Sequence, residues 1–405
     1  QSSYRQLRAK VAKDPTAAVP EKDSLSIYVH LPWCVKKCPY CDFNSHESSI
    51  SGLQDLKYAK ALIRDLEFEL PRIKNRNISS IFIGGGTPSL FSVASLQLIL
   101  DSLRTHLKFS EDIEITMEAN PGSADANRFR GYREIGVNRL SIGAQSFDNA
   151  SLQALGRIHD AEETHQAIDM AIEAKFENIN IDLMFALPGQ TLTGALRDLN
   201  TACSQAVSHI SWYQLTLEAN TIFHKFPPEL PDDELIWEMQ EQGQGVLADR
   251  GFVQYEISAY ARPSHHCQHN LNYWHYGDYL GLGAGAHGKL TDRKNNHINR
   301  FTRHRLPEAY MARAGGQAVI VEERMIAQRE TVLEFMMNVF RLNAGFSPSL
   351  FCRQTGLQLS DFQDLLDIAI ERNFITQQQQ LIKPSRTGLN YLNELLQIFM
   401  PADLE

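Results

Sequence analysis

Apolar and polar positions along this chain follow two rhythms. Short apolar runs at Ser26–His30, Ser80–Gly84, Ile113–Glu118, Arg139–Gly143, Asn178–Leu183, Ile210–Thr216 and Val253–Ala259 predict strands. Between them, helical periods at Leu53–Ile73, Ala94–Leu107, Ala161–Ala174 and Gly194–Ala206 predict helices. Strands this apolar, alternating with helices, indicate an α/β fold whose parallel sheet is covered on both faces, and a full or partial (β/α) barrel is the expected architecture. Beyond residue 321 the pattern changes. Helical periods at Thr331–Arg341, Ser347–Gln354 and Ser360–Arg372, the last with Ser360 as N-cap, precede a hairpin at Phe374–Ile382 and a final helix at Gly388–Met400. That order predicts a winged-helix-like module placed as a lid or docking domain over the barrel rim. The expected division is a flexible lead-in (1–24), a barrel core (25–260), a connecting region (261–321) and a C-terminal domain (322–405).

Composition narrows the classes of function. A chain of 405 residues with 43% apolar content builds sizeable cores. Its formal charge of −9 argues against a nucleic-acid backbone as the main partner, and Asp361, Asp364, Asp367 and Glu371 in the C-terminal part argue the same way. No apolar run is long enough to cross a bilayer and no secretory signal is expected, so membrane association is expected only through a partner. Cys203, Cys267 and Cys352 are scattered, which does not suit a disulfide framework and points to a reducing cytoplasm. Arg5, Arg8, Lys10 and Lys13 precede Pro15 and Pro20 in the lead-in; a targeting remnant is its alternative reading.

Candidate chemistry concentrates at His30–His46. There Cys34, Cys38 and Cys41 form a C-x3-C-x2-C array on a loop following the first strand. A structural zinc would need a fourth donor such as His46; an iron–sulfur cluster held by three thiolates would keep one iron open. With Tyr40 just before the last cysteine, the array resembles the signature of the radical S-adenosylmethionine (SAM) superfamily. That resemblance implies a [4Fe-4S] cluster whose open iron binds SAM and whose electron cleaves it to methionine and a deoxyadenosyl radical.

Barrel active sites gather at the C-terminal ends of strands, and the unusual residues fall there. Gly84-Gly85-Gly86-Thr87-Pro88 lets backbone approach a ligand closely; a tight turn is the bland alternative. Glu118 suits ribose hydroxyls or an ammonium, Gln145 and Asp182 suit adenosine hydroxyls, and Arg157 suits a carboxylate.

The segments YVHLPWC, GGGTP, EANP, SIGAQSF, LGRIHD and INIDLMFALPGQ together resemble the branch containing oxygen-independent coproporphyrinogen III oxidase (HemN) and the HemW heme chaperones. The resemblance implies cluster ligation by Cys34, Cys38 and Cys41, and SAM contacts from Tyr28, Tyr40, Gly85, Gly86, Thr87, Glu118, Gln145, Arg157 and Asp182. The oxidase motif has a fourth cysteine where this chain has Phe43, and His269-Asn270-Leu271-Asn272-Tyr273-Trp274 matches the H-N-x-x-Y-W heme motif of the chaperones. Both features favour the chaperone, with heme, an acceptor protein and an electron donor as partners. His269 offers an axial ligand, Tyr273 and Trp274 offer apolar faces, and Cys267 is an alternative ligand. The bland reading of the hexapeptide is a bonded histidine and a core tryptophan. The basic stretch Lys289–Arg305 (Lys289, Arg293, Lys294, Arg300, Arg303, Arg305) is either a solvated loop or a site for heme propionates, and the glycine-dense Tyr279–Gly288 returns backbone to the site or binds phosphate. The enzyme alternative is decarboxylation of coproporphyrinogen III; a radical SAM enzyme acting on RNA would need a basic surface that the composition lacks.

Overall fold

The computed structural model describes residues 24–47 and 52–400, apart from 74, 293, 296 and 379. The lead-in (its residues 1–23) and Arg293 therefore lie outside the described residues. Six parallel strands succeed one another in the sheet: β1 (Ser24–Leu31), β2 (Asn77–Gly85), β3 (Lys108–Ala119), β4 (Arg139–Gln145), β5 (Asn178–Phe185) and β6 (His209–Gln214). Two short antiparallel strands, β7 (Val253–Gln254) and β8 (Ala259–Ala261), extend the β6 edge. At the other edge β9 (Tyr279–Leu282) pairs parallel with β1, and β10 (His287–Asp292), β11 (His297–Arg303) and β12 (Ile320–Met325) continue antiparallel. The resulting 12-stranded sheet ends in β12 and β7, which do not pair, so the barrel is partial.

Alternation explains both faces of this sheet. Leu25, Ile27, Val29 and Leu31 of β1 are fully buried with Ile81, Ile83, Ile115, Met117, Leu140 and Ile181 in the core shared with the helices. The inner face is also buried but polar. Ser26 and Ser80 hydroxyls lie 2.7 Å apart, and His209 Nδ1 lies 2.6 Å from the Asn180 side-chain oxygen. Mutual hydrogen bonding makes such burial tolerable.

Several expected elements differ. The run Val253–Ala259 is two short strands broken at Glu256, whose carboxylate accepts from the Ser258 N–H at 3.0 Å. Ser360 is no N-cap but lies in a 3-10 turn (Leu359–Phe362) ahead of the helix Gln363–Glu371, and its hydroxyl meets Asp361 instead. The last helix divides at Tyr391 into Arg386–Asn390 and Leu392–Gln397. Residues 287–303 are no solvated loop, because they form the β10–β11 hairpin. Lys289 is buried, 3.0 Å from Asp278, and Arg303 is buried between Asp65 and Glu69. Their charges are neutralised inside the protein and do not await propionates. The helices Gln328–Val339, Pro348–Thr355 and Gln363–Glu371, followed by the hairpin Ile375–Gln378/Leu381–Pro384, enclose a second core around Phe335, Phe346 and Phe351 that also takes in Tyr276 and Ile298.

Candidate functional site

The cysteine loop is pinned at both ends. Trp33–Cys34 pairs with His46–Glu47, and the buried Trp33 ring meets Tyr58 edge-on at 4.8 Å. Within the loop Cys34, Cys38 and Cys41 are free thiols, all partly exposed. Thr87 donates its hydroxyl hydrogen to Cys34 Sγ at 3.5 Å, and Arg157 donates to Cys38 Sγ at 3.7 Å. Burial pushes the Cys34 and Cys41 thiols up, against these and neighbouring donors. His46, the candidate fourth zinc donor, instead has Nε2 3.2 Å from the Arg305 carbonyl. Among the described residues no three His, Cys, Asp or Glu side chains converge as the ligands of a single ion would. A donor set of three thiols with polar donors aimed at two of the sulfurs fits a multi-iron cluster better than one zinc ion.

The remaining rim residues surround this loop. Gly85 sits at φ +119° with its N–H donating to Glu118 at 3.0 Å, and a Cβ there would lie 2.7 Å from the His30 ring. At Gly86 a Cβ would lie 2.5 Å from the Trp33 carbonyl oxygen, so the triplet lets two backbones pass at contact. Gln145, at φ +68°, ends β4 where its register with β5 shifts, and its side-chain oxygen accepts from the Tyr213 hydroxyl at 2.9 Å. Asp182 accepts from Ser141 at 3.0 Å and Asn180 at 2.8 Å, while burial pushes its carboxyl up. Arg157 donates to the Gly143 carbonyl at 2.8 Å, and its Nε is buried without a partner. Among the described residues no carboxylate pairs with this guanidinium, which leaves a cation beside the thiols for an anionic ligand. Tyr28 stacks on Phe82 at 6.3 Å, and Tyr40 lies 6.3 Å from Phe223.

Two positioning groups escaped the sequence reading. His30 Nε2 lies 2.9 Å from the Asn44 carbonyl and so carries the hydrogen, leaving Nδ1 to accept from the Tyr28 hydroxyl at 3.0 Å. Burial holds this imidazole neutral by lowering its pKa to about 4. Asn44 donates to the carbonyls of Ala284 at 3.0 Å and Arg305 at 2.8 Å, tying the cysteine loop to the glycine-dense segment. Gly283 and Gly285, both at positive φ, leave the space that the His30 carbonyl and Asn44 side chain occupy. That segment thus supports the loop. The signal available was alternation, which places Ser26, Tyr28 and His30 on one face of β1.

The helix Gln268–Trp274 carries the H-N-x-x-Y-W hexapeptide, and its first turn sits on Glu114, which accepts from the N–H groups of Gln268 and His269 at 3.1 Å each. His269 does not reach the surface. Its Nδ1 lies 3.0 Å from the Ser80 hydroxyl and its Nε2 3.1 Å from the Tyr273 hydroxyl, and burial lowers its pKa to about 3. Cys267 is equally buried, its Sγ 3.5 Å from Glu114. Tyr273 and Trp274, by contrast, line a cavity of about 270 Å³ together with Tyr276, Tyr279, Arg300 and Asn338. Arg341 stacks over the Trp274 ring at 4.3 Å, and the Trp274 indole N–H is buried without a partner.

Known proteins resemble this chain. Residues 28–200 match the radical SAM superfamily. The heme chaperone HemW of Haemophilus influenzae is 45% identical over 389 residues, spanning 95% of this chain and 100% of that protein. Its Escherichia coli counterpart is 44% identical over 93% of this chain and 98% of its own length. The chain belongs to the HemW family. Among solved structures, the radical SAM enzyme coproporphyrinogen III oxidase (HemN) of Escherichia coli superposes with a TM-score of 0.79 at 20% identity, covering 94% of this chain and 91% of that one. At that identity the likeness establishes the shared fold. Among the described residues of this HemW-family chain, no helix is long and apolar enough to cross a membrane.

The rim of this HemW-family protein also carries a titration. Burial, and then Asp182, push the Glu118 carboxyl from its ordinary 4.5 to about 8, against the Gly85 N–H. The folded chain therefore keeps a proton that the unfolded chain has released, so this group's contribution to stability is complete below about pH 4.5 and is lost as pH rises through 8. Glu118→Gln is expected to flatten the decline between pH 5 and pH 8 in denaturation midpoints of SAM-free protein; an unchanged slope would remove Glu118 as its source.

Proposed function

We propose that this protein is a heme chaperone that holds a SAM-liganded [4Fe-4S] cluster at its rim, binds heme against the helix Gln268–Trp274 and passes it to an acceptor protein. The observation that carries the heme half is the cavity walled by Tyr273, Trp274, Tyr276 and Tyr279, a set of flat aromatic faces beside a helix bearing the chaperone hexapeptide. Its volume of about 270 Å³ lies under the roughly 300–1,000 Å³ usual for small-molecule sites. A macrocycle would therefore extend beyond this cavity, where Asn338 of the helix Gln328–Val339 forms part of the wall. Because both nitrogens of His269 are already bonded, its use as an axial ligand requires one of the two bonds, to Ser80 or to Tyr273, to break, while the other ring nitrogen can keep its partner.

At the rim, Cys34, Cys38 and Cys41 would hold the cluster, with Thr87 and Arg157 donating to its thiolate ligands. When bound, the cluster supplies the electron that cleaves SAM. Arg157 would take the SAM carboxylate, the Gly85–Gly86 backbone its methionine end, and Glu118, Gln145 and Asp182 its hydroxyl and ammonium groups, with Tyr28 and Tyr40 as the aromatic walls. Free cysteines and an air-sensitive cluster suit a reducing cytoplasm.

The test is a heme titration followed by the Soret band. Trp274→Ala and Tyr273→Ala are expected to weaken binding about tenfold each, the loss of roughly 1.4 kcal/mol of aromatic contact, while the cluster spectrum stays unchanged. Heme affinity equal to the parent's in both variants would remove this cavity from the function. Anaerobic incubation with coproporphyrinogen III, SAM and a reductant separates the chaperone from the decarboxylase: multiple turnovers to the divinyl product would overturn the reading.

A further inference from the structure

Lys289 and Arg300 both line the aromatic cavity, yet they are held differently. Lys289 is closed off, its Nζ donating to Asp278 at 3.0 Å and to the Tyr276 carbonyl at 2.9 Å, with the two side chains of the ion pair only 1% and 2% exposed. Arg300, on β11, keeps 25% of its side chain in solvent, and its partner Glu334 keeps 17%. Glu334 belongs to the helix Gln328–Val339, one turn before the cavity-lining Asn338. Arg300 donates to its carboxylate from Nη2 at 2.7 Å and from Nε at 3.2 Å, and the Tyr276 hydroxyl donates to the same carboxylate at 2.7 Å. The Tyr279 hydroxyl accepts from Arg300 Nη1 at 2.7 Å and holds the guanidinium from its other edge. A guanidinium joined by a phenol is a receptor for a carboxylate, and here the protein's own acid fills it.

We propose that Arg300 and Tyr276 form a subsite for a carboxylate side chain of the bound tetrapyrrole, and that Glu334 occupies it until that carboxylate displaces it. This rests on the heme reading above. Aromatic walls suit the flat ring, whereas the acidic groups at its edge need charged donors to replace the water they give up. Exposure decides which cation can serve. Turning Glu334 outward breaks a partly solvated pair and returns a carboxylate to water, which costs little. Drawing Asp278 off Lys289 would strand a buried charge, which costs far more. Arg300 is therefore the cation open to exchange. A ring without acidic side chains gains nothing there, so the subsite selects for a carboxylated macrocycle. The resident acid also lowers apparent affinity by the fraction of time it fills the site. That suits a carrier that must give up its cargo, because Glu334 closes the subsite again as the ligand leaves.

The experiment titrates the full chain with ferric heme and, in parallel, with heme dimethyl ester, whose propionates are neutral, and follows the Soret band. Glu334→Gln should tighten heme binding about fivefold, because the competing charge is gone. Arg300→Gln should weaken it about tenfold, the scale of one charge-assisted contact. The ester should respond to neither substitution. An ordinary ion pair between the sheet and this helix would not give opposite signs, since losing either partner loosens the same contact. Heme affinities that move in the same direction in both variants, or an ester that responds as strongly as heme, would overturn the subsite. Glu334→Gln is nearly isosteric and decides the matter alone if Arg300→Gln fails to fold: an unchanged heme affinity would overturn the proposal. Should Trp274→Ala and Tyr273→Ala keep the parent's heme affinity, the cavity reading falls and this proposal with it; should they weaken binding while Glu334→Gln and Arg300→Gln change nothing, the subsite alone falls.

Discussion

Replacing Cys34, Cys38 and Cys41 together by alanine is expected to leave a folded protein without iron, sulfide or broad visible absorption. Folding survives because the loop is held by other groups: the buried Trp33, the pairing with His46–Glu47, and the Asn44 bonds to Ala284 and Arg305. Cluster binding does not survive, because the described residues offer no substitute set. His46 faces the Arg305 carbonyl, and Cys203 and Cys267 are buried elsewhere. Single replacements should be nearly as severe, since a cube held by two thiolates loses a third of its anchoring and opens a second iron to solvent. Iron and sulfide analysis with an absorption spectrum decides the matter, and a triple variant that retained both would remove the loop as the ligand source. Circular dichroism on the same samples separates ligand loss from unfolding.

Removing the Arg303 guanidinium should be the most destabilising single change in the sheet. Arg303 donates to Asp65 at 3.1 and 3.2 Å and to Glu69 at 2.8 Å, and all three side chains are fully buried. The Tyr310 hydroxyl adds a bond to Asp65 at 2.9 Å, and the guanidinium lies 4.7 Å from the Phe301 ring. Arg303→Met keeps much of the volume and strands two carboxylates, a loss of about 3–5 kcal/mol. Burial already pushes the Glu69 carboxyl up in the intact protein, and losing its nearest cation raises it further. With the Glu69 carboxyl held above its value in the unfolded chain, the variant's deficit grows as pH rises from about 4.5 and shrinks in acid. Denaturation midpoints at pH 5 and pH 8 measure this. Adding Asp65→Asn and Glu69→Gln should recover most of the loss, because neutral amides are far cheaper to bury than unpaired charges; no recovery would mean that packing against Phe301, not charge, holds the site.

How much of this was legible in the residues depends on the range of the interactions concerned. Strands β1 to β6 and the helices Gly52–Ile73, Val93–His106, Ala161–Glu173 and Leu192–Ser204 were readable because alternation and helical period are local consequences of where side chains point, whereas the short helices Ala126–Glu134 and Asn149–Ala154 were not. The rim residues were readable because parallel βα order fixes which strand ends meet. The break at Glu256, the 3-10 turn at Ser360 and the division at Tyr391 were not, since each depends on side-chain bonds or packing that local propensity does not encode. The basic stretch shows the limit most plainly. Lys289 and Arg303 read as solvent charges, yet the Arg303 partners stand 238 and 234 positions away in sequence.

The hexapeptide divides in the same way. Its residue types announced aromatic and ligand chemistry, but only the folded chain turned His269 inward to Ser80 and left Tyr273 and Trp274 on a cavity wall. By itself the sequence determined the α/β class, the cysteine array, the strand-end residues and the family resemblance, because spacing and periodicity survive any arrangement of distant segments. The tertiary structure alone decided which charges are buried in pairs, that Arg157 has no carboxylate partner among the described residues, that His30 and Asn44 brace the loop, and which apolar side chains remain in solvent. Those outcomes turn on contacts between residues far apart in the chain, and proximity of that kind exists only once the sheet has formed.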